Sequence, residues 1–288
     1  MVTVGGALAV GSATSDNPFG PYNYQWDGTS DLRDLATDEG TDAVFLRESE
    51  TYEEYGKDDI AFVIGPDNFS EDSTGHVSDF VERGGTLVVA YRDEPVGENL
   101  LSAVGAEARP DGAMLRDELN HHRSPRLPIA TEVGDHELVA DVESVVLNHG
   151  TAVEANGATV LIESSPFSYL DRDGSGEPTD EPVESYPVAT VESVGNGQVI
   201  VVGDPSIFIN VMQEQNGNAV FTRGLVEGAD HMIVDASTED SIPILVHAVM
   251  NIRENVLLQL GLGVGALLIV GLSTNMVVRL RNRSRATQ

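Results

Sequence analysis

The sequence predicts an α/β domain built on a mostly parallel β-sheet, followed by one C-terminal transmembrane helix. Three observations carry that reading. Two short apolar runs, Ile60–Ile64 and Thr86–Ala90, are each closed by turn residues or a break in hydropathy, the mark of strands buried on both faces. Between them stands a segment with apolar residues at helical spacing. Further on, Val256–Val278 holds 23 residues without one ionisable side chain, about 35 Å of helix and enough to span a bilayer.

In chain order, Val2–Val10 is apolar and rich in small residues. With the polar stretch to Asp16 it reads as the end of an export signal or signal anchor, residues 1–16, whose basic beginning is missing. Asn17–Gly28 (NPFGPYNYQWDG) is a Pro/Gly/aromatic loop. Thr29 or Ser30 then caps a short helix, Asp31–Thr37, that ends near Gly40. Asp42–Arg47 and Ile60–Ile64 read as strands. A helix over Glu71–Arg83 places Val77, Phe80 and Val81 on one face and stops at Gly84-Gly85. Thr86–Ala90 is the next strand, and Glu98–Val104 a helix stopped by Gly105. Strand, helix, strand with a glycine exit is the pattern of a parallel sheet.

Ala106–Val142 is rich in Pro, His and charge and reads as an insertion or lid-like excursion. Strands resume at Ser144–Leu147, Thr159–Ile162, Val188–Ser193 and Gln198–Val202. A helix near Asn218–Val226 and a strand at Met232–Asp235 follow. Ser241 opens a helix, with Pro243 tolerated in its first turn, that continues into the span. The predicted organisation is therefore an extracytoplasmic domain (17–240), a helix running into the membrane (241–278) and a basic cytoplasmic tail (279–288). Arginines at 279, 281, 283 and 285 hold that tail inside, because cationic flanks resist translocation.

Charge and composition exclude several function classes. Four of the sixteen Lys and Arg residues belong to the tail, so residues 1–255 carry twelve against 47 acids, a net charge of −35. So large a charge opposes compaction unless salt screens it, and the expectation is a protein adapted to a high-salt environment. With no basic patch outside the tail, nucleic acid is not an expected partner. The absence of cysteine removes disulfides, thiolate metal sites and a cysteine nucleophile together.

Sites in open parallel sheets gather at the carboxyl ends of strands. That rule selects Gly65-Pro66-Asp67, Tyr91-Arg92-Asp93-Glu94, Asn148-His149-Gly150, Ser164-Ser165 and Gly203-Asp204-Pro205-Ser206 as segments that converge on one crevice, although such residues also simply turn a chain. A nucleophile elbow at Ser206 lacks the G-x-S-x-G pattern and carries a proline in the turn. His121-His122 has no metal-ligand spacing. The cation candidate is Asp171, Asp173, Ser175 and Glu177, which match the opening of a calcium loop. The match fails at Pro178 and at Pro182, where a bidentate Glu belongs. No phosphate-binding glycine motif is present, so no nucleotide cofactor is expected. Within the span, Gly261 and Gly265 form a G-x-x-x-G pair suited to a homodimer.

Several segments together resemble one family. They are Phe19-Gly20-Pro21-Tyr22-Asn23 with Trp26-Asp27-Gly28-Thr29-Ser30, Phe80–Leu87, Leu147–Thr151, Gly195–Val199 and, most specific, Gly203-Asp204-Pro205-Ser206-Ile207-Phe208-Ile209-Asn210. They are similar to the domain of unknown function family 4350, found in membrane-anchored archaeal and bacterial proteins and, for a chain this acidic, in halophilic archaea. The resemblance implies a flavodoxin-like sheet of the class I glutamine amidotransferase type, with helices on both faces. It also marks Asn210 as a candidate site residue. Active amidotransferases of that type use a cysteine, which this chain lacks, so their activity does not carry over.

The functional expectation is thus a membrane-anchored, non-catalytic, extracytoplasmic domain that binds a ligand or a membrane or envelope protein partner. Its candidate residues are Asp67, Arg92, Asp93, Asn148, His149, Asp204, Ser206 and Asn210. A hydrolase working around Asp204 and His149, and a calcium-stabilised surface module, are the alternatives.

Overall fold

The computed structural model describes residues 17–66, 69–178 and 181–237. The export segment, the helix expected from Ser241, and the span Val256–Val278 with its glycine pair and arginine tail lie outside the described residues. Among the described residues no helix is long and apolar enough to cross a membrane.

Fourteen strands are present among the described residues. In order, β1 (Asp42–Leu46), β2 (Asp59–Ile64) and β3 (Thr86–Ala90) alternate with helices. Short strands β4 (Arg109–Pro110), β5 (Met114–Asp117), β6 (Ile129–Ala130), β7 (Glu132–Val133), β8 (Val145–Val146) and β9 (Val153–Glu154) follow. The last group is β10 (Thr159–Glu163), β11 (Ser168–Asp171), β12 (Pro187–Val194), β13 (Gly197–Val202) and β14 (His231–Asp235). The helices are α1 (Asp31–Asp38), α2 (Glu71–Glu82), α3 (Pro95–Val104), the single turn α4 (Asn210–Gln213) and α5 (Asn216–Val226).

Eight strands form one sheet in the order β1-β14-β2-β3-β13-β12-β10-β7. The first five are mutually parallel. The remaining pairings, β13 with β12, β12 with β10 and β10 with β7, are antiparallel. This corrects the mostly parallel, flavodoxin-like expectation to a mixed sheet. The physical reason lies in two residues. Only Gly195 and Asn196 separate β12 from β13, and Gly195 sits at φ +58°. So short a loop can join only antiparallel neighbours, since a parallel return needs a crossover.

Helices cover both faces. Leu32, Leu35 and Ala36 of α1 with Phe221, Leu225 and Val226 of α5 pack on Ile60, Phe62, Val88, Ile200 and Val202. Val77, Phe80 and Val81 of α2 with Leu100, Leu101 and Val104 of α3 pack on Ala61, Val63, Leu87, Val89, Val199 and Val201. Successive residues of β2, β3 and β13 thus serve opposite cores, which is why these strands read as unbroken apolar runs. Within α2 the Ser70 hydroxyl accepts the Ser73 N–H, a side-chain N-cap.

The excursion over 106–142 is tied into the rest of the fold. Each of its strands is paired: β4 with β9, β5 with β11, β6 with β8, and β7 with the sheet edge.

Candidate ligand-binding crevice at the strand ends

The parallel strands β2, β3 and β13 end side by side at Gly65, Tyr91 and Gly203, stitched by Gly65 N–H to Ala90 O and Tyr91 N–H to Val202 O. A third segment, Asn148-His149-Gly150-Thr151, crosses the end of β13, with Thr151 N–H donating to Gly203 O at 2.9 Å. The crossing is close. A Cβ on Gly203 would stand 2.3 Å from Thr151 O, and one on Gly150 would stand 2.8 Å from both Asp204 Cβ and Leu147 Cδ2. Glycine at these two positions is what lets the segment lie against the strand end.

Asp204 is the anchor. It is buried, and its carboxylate accepts the backbone N–H groups of Asn148 at 2.5 Å and Ser206 at 2.8 Å. Burial raises its pKa to about 7. Its hydrogen bonds from Asn148 and Ser206, and the nearby Arg92 charge, offset part of that rise. His149 follows at φ +62°, a left-handed conformation costly for a side chain with a Cβ. Its Nδ1 lies 2.8 Å from Asn148 Oδ1, and its backbone N–H donates to Arg126 O. Burial, then Arg126 and Arg92, lower its pKa. Arg92 donates from Nη1 to His149 O at 3.4 Å and from Nη2 to Asp93 Oδ2 at 3.3 Å. Ser206 donates from its hydroxyl to Asn148 O at 3.3 Å.

The structure therefore brings Arg92, Asp93, Asn148, His149, Asp204 and Ser206 together. Asp67 lies outside the described residues. Asn210 has another task. It accepts the Asp31 N–H at 3.0 Å and donates to Asn23 O, Gln25 O and Ser30 Oγ at 3.2, 2.6 and 3.1 Å. It thereby caps α1 from a distance, where Ser30 makes no side-chain cap of its own, and pins the aromatic N-terminal loop. Ser164 and Ser165 make their hydrogen bonds to other residues. Ser165 donates a short bond to buried Asp117, which further accepts the Ser168 hydroxyl and the N–H groups of Leu119 and Asn120.

The calcium-loop residues make local turns. Asp171 accepts the Gly176 N–H and pairs with Arg116 at 3.5 Å, while Asp173 accepts the Ser175 N–H at 2.9 Å. The Ser175 hydroxyl donates to the backbone carbonyl of Glu177. The Arg116 guanidinium thus stands beside Asp171. Among the described residues no three His, Asp or Glu side chains gather closely enough to hold a metal.

Chemically, the crevice is a set of committed groups. Both Asp204 oxygens are taken by backbone amides, and among the described residues no hydroxyl is hydrogen-bonded to His149. The larger cavities lie elsewhere. Spaces of about 330 and 410 Å3 open near the starts of β2, β3 and β13, among Asp59, Thr86, Glu137, Glu192 and Gln198. A smaller one of about 210 Å3 lies beside Arg92 and Asp93. Arg126 was not singled out by the sequence, because its place beside His149 depends on a backbone pairing across 23 residues.

No curated protein matches the chain. Among solved structures it is similar to the mmIFT52 N-terminal domain, at 14% identity and TM-score 0.46, covering 62% of this chain and 80% of that one. It is similar to a ThuA-like protein from Bacteroides uniformis, at 13% identity and TM-score 0.43, covering 69% and 82%. It is also similar to the exo-β-1,4-mannosidase Op5Man5 from an Opitutaceae bacterium, at 16% identity and TM-score 0.38; it spans 29% of that chain. At residues 21–226 the chain matches a family described as a domain of unknown function, and it belongs to that family, DUF4350.

Proposed function

We propose that the domain is a non-catalytic binding module whose ligand or partner meets the strand-end crevice formed by Arg92, Asp93, Asn148, His149, Asp204 and Ser206. The observation that carries this reading is the state of Asp204. A general base must come within hydrogen-bond reach of a substrate proton, and this carboxyl group is buried from solvent, held by a backbone amide on each oxygen. Strain at His149 and two jammed glycines are costs a fold retains where a surface must be held in one shape. The high-salt expectation fits the same reading, since an acidic surface keeps such a module hydrated.

The test is a thermal-shift panel of small metabolites on the full-length chain at constant high salt, with hits then incubated and recovered for mass spectrometry. The expected result is a ligand that raises Tm and is recovered unchanged. Product formation abolished by His149→Ala and Asp204→Asn would instead establish the hydrolase reading. A panel without a hit, in a chain that also co-purifies with no reproducible partner, would overturn the binding reading.

A further inference from the structure

The chemical class of the ligand follows from which charges at the strand ends are already engaged, and this step rests on the binding reading above. In a part of the chain with a net charge of −35, Arg92 and Arg126 both stand near enough to His149 to act on its titration. Three of the nearby carboxylates are engaged, Asp111 by the Arg172 guanidinium at 2.8 and 2.6 Å. Asp204 holds two amides, and Glu94 accepts the backbone N–H groups of Arg92 at 2.9 Å and Asp93 at 3.2 Å. Asp93 meets Arg92 only at 3.3 and 3.5 Å.

Arg92 is the poorly matched member. Its bonds are long, its Nε is buried with no hydrogen-bond partner among the described residues, and its side chain is one-third exposed. A half-exposed pair such as Arg92–Asp93 is worth about 0–1 kcal/mol, so a better-aligned anion displaces it at small cost. The adjoining cavity of about 210 Å3, which Arg92 and Arg109 line together with the acids Asp93, Glu94, Glu98 and Asp111, falls below the ~300–1,000 Å3 of sites for drug-sized molecules. It has room for a few heavy atoms. The amides of Asn148 and Ser206, which would otherwise help cradle a phosphate, are filled by Asp204. What remains is a planar guanidinium fork, which matches a carboxylate.

We infer that Arg92 binds the carboxylate of a small organic acid. Arg126, whose carbonyl accepts the His149 N–H, adds longer-range attraction, and the His149 carbonyl holds the guanidinium in place.

The test is ligand-observed saturation-transfer NMR on the full-length chain at constant high salt. The probes are pyruvate and succinate, their methyl esters as uncharged counterparts, and inorganic phosphate. Transfer is expected to the acids and not to the esters, with phosphate displacing the acids poorly. Arg92→Gln is expected to weaken binding about tenfold or more, as loss of a charged hydrogen-bond donor does. Arg126→Gln should weaken it less, and exposed Lys57→Gln should leave it unchanged. Should Arg92→Gln fail to fold by circular dichroism, Arg92→Lys, which keeps the charge and loses the fork, takes its place with the same expectation.

Equal transfer to acids and esters, wild-type affinity in the Arg92 variant, or tighter binding of phosphate would each overturn the inference. Ester binding lost in Asp93→Trp, which blocks the cavity mouth, would remove the carboxylate while keeping the crevice. Silence from every probe overturns the carboxylate alone, because the crevice itself is tested on the wider panel.

Discussion

Asp204→Asn is the substitution that reads the anchor of the crevice most directly. Asp204 titrates near 3.8 when unfolded and at about 7 in the fold, where burial outweighs the two amides and Arg92. The folded state therefore favours the neutral acid. The associated stability is fully present below pH 3.8, declines as pH rises through the interval, and is gone above about 7. The full span is about 4 kcal/mol, and the part falling between pH 5 and 8 is about 2.5 kcal/mol. Asparagine has the same shape and does not titrate. Its amide nitrogen must face one of the two backbone N–H groups, a cost of about 1–3 kcal/mol that is the same at every pH. Urea unfolding followed by circular dichroism, at fixed high salt so that self-repulsion is held constant, gives both curves. The wild type should lose about 2.5 kcal/mol more than Asp204→Asn between pH 5 and 8. Parallel curves for the two proteins would refute the claim that this buried carboxyl is held near neutrality.

Three further outcomes are expected. Asn210→Ala removes four hydrogen bonds and should cost about 2–4 kcal/mol, with limited proteolysis appearing first within 17–28; unchanged cleavage there would refute the clamp. Gly203→Ala drives a Cβ to 2.3 Å from a backbone oxygen and should cost about 1–3 kcal/mol or more, whereas Gly40→Ala, with open space around it, should cost chiefly the backbone strain of its φ of +81°. Equal losses in the two, by the same unfolding assay, would contradict the close crossing. Calcium added at constant ionic strength should leave Tm unchanged, because Asp171 is paired with Arg116 and Asp173 is folded onto its own turn; a saturable rise would restore the loop as a cation site.

The buried strands were the most legible part of the fold. Ile60–Ile64 and Thr86–Ala90 are apolar on both faces because each face has its own helices, and hydropathy reports that directly. The sheet's direction was harder to read. Gly195-Asn196-Gly197 is a hairpin signal in plain view, but it stands between strands that also suit a parallel sheet, and turn length rather than apolarity decides the question. At the site, the strand-end rule located six residues now seen together, since β3 and β13 are parallel neighbours. Asn210, put forward by the family resemblance rather than by this rule, makes a structural clamp, and Ser165, which the rule grouped with the crevice, is held by Asp117. Pairings of that kind join distant segments through single side chains, and no periodicity announces them.

The Asn210 clamp also bears on when the protein becomes whole. Asn23 and Ser30 reach it across 187 and 180 residues, and the first strand of the sheet, β1, pairs with the last, β14. Contacts of such separation are slow to form, because loop closure must precede their reward. The earliest-synthesised part of the domain is therefore the last to be secured. Until α4 and β14 emerge, the aromatic loop and the edge of β1 remain open, and that interval is when this fold is most exposed to misassembly.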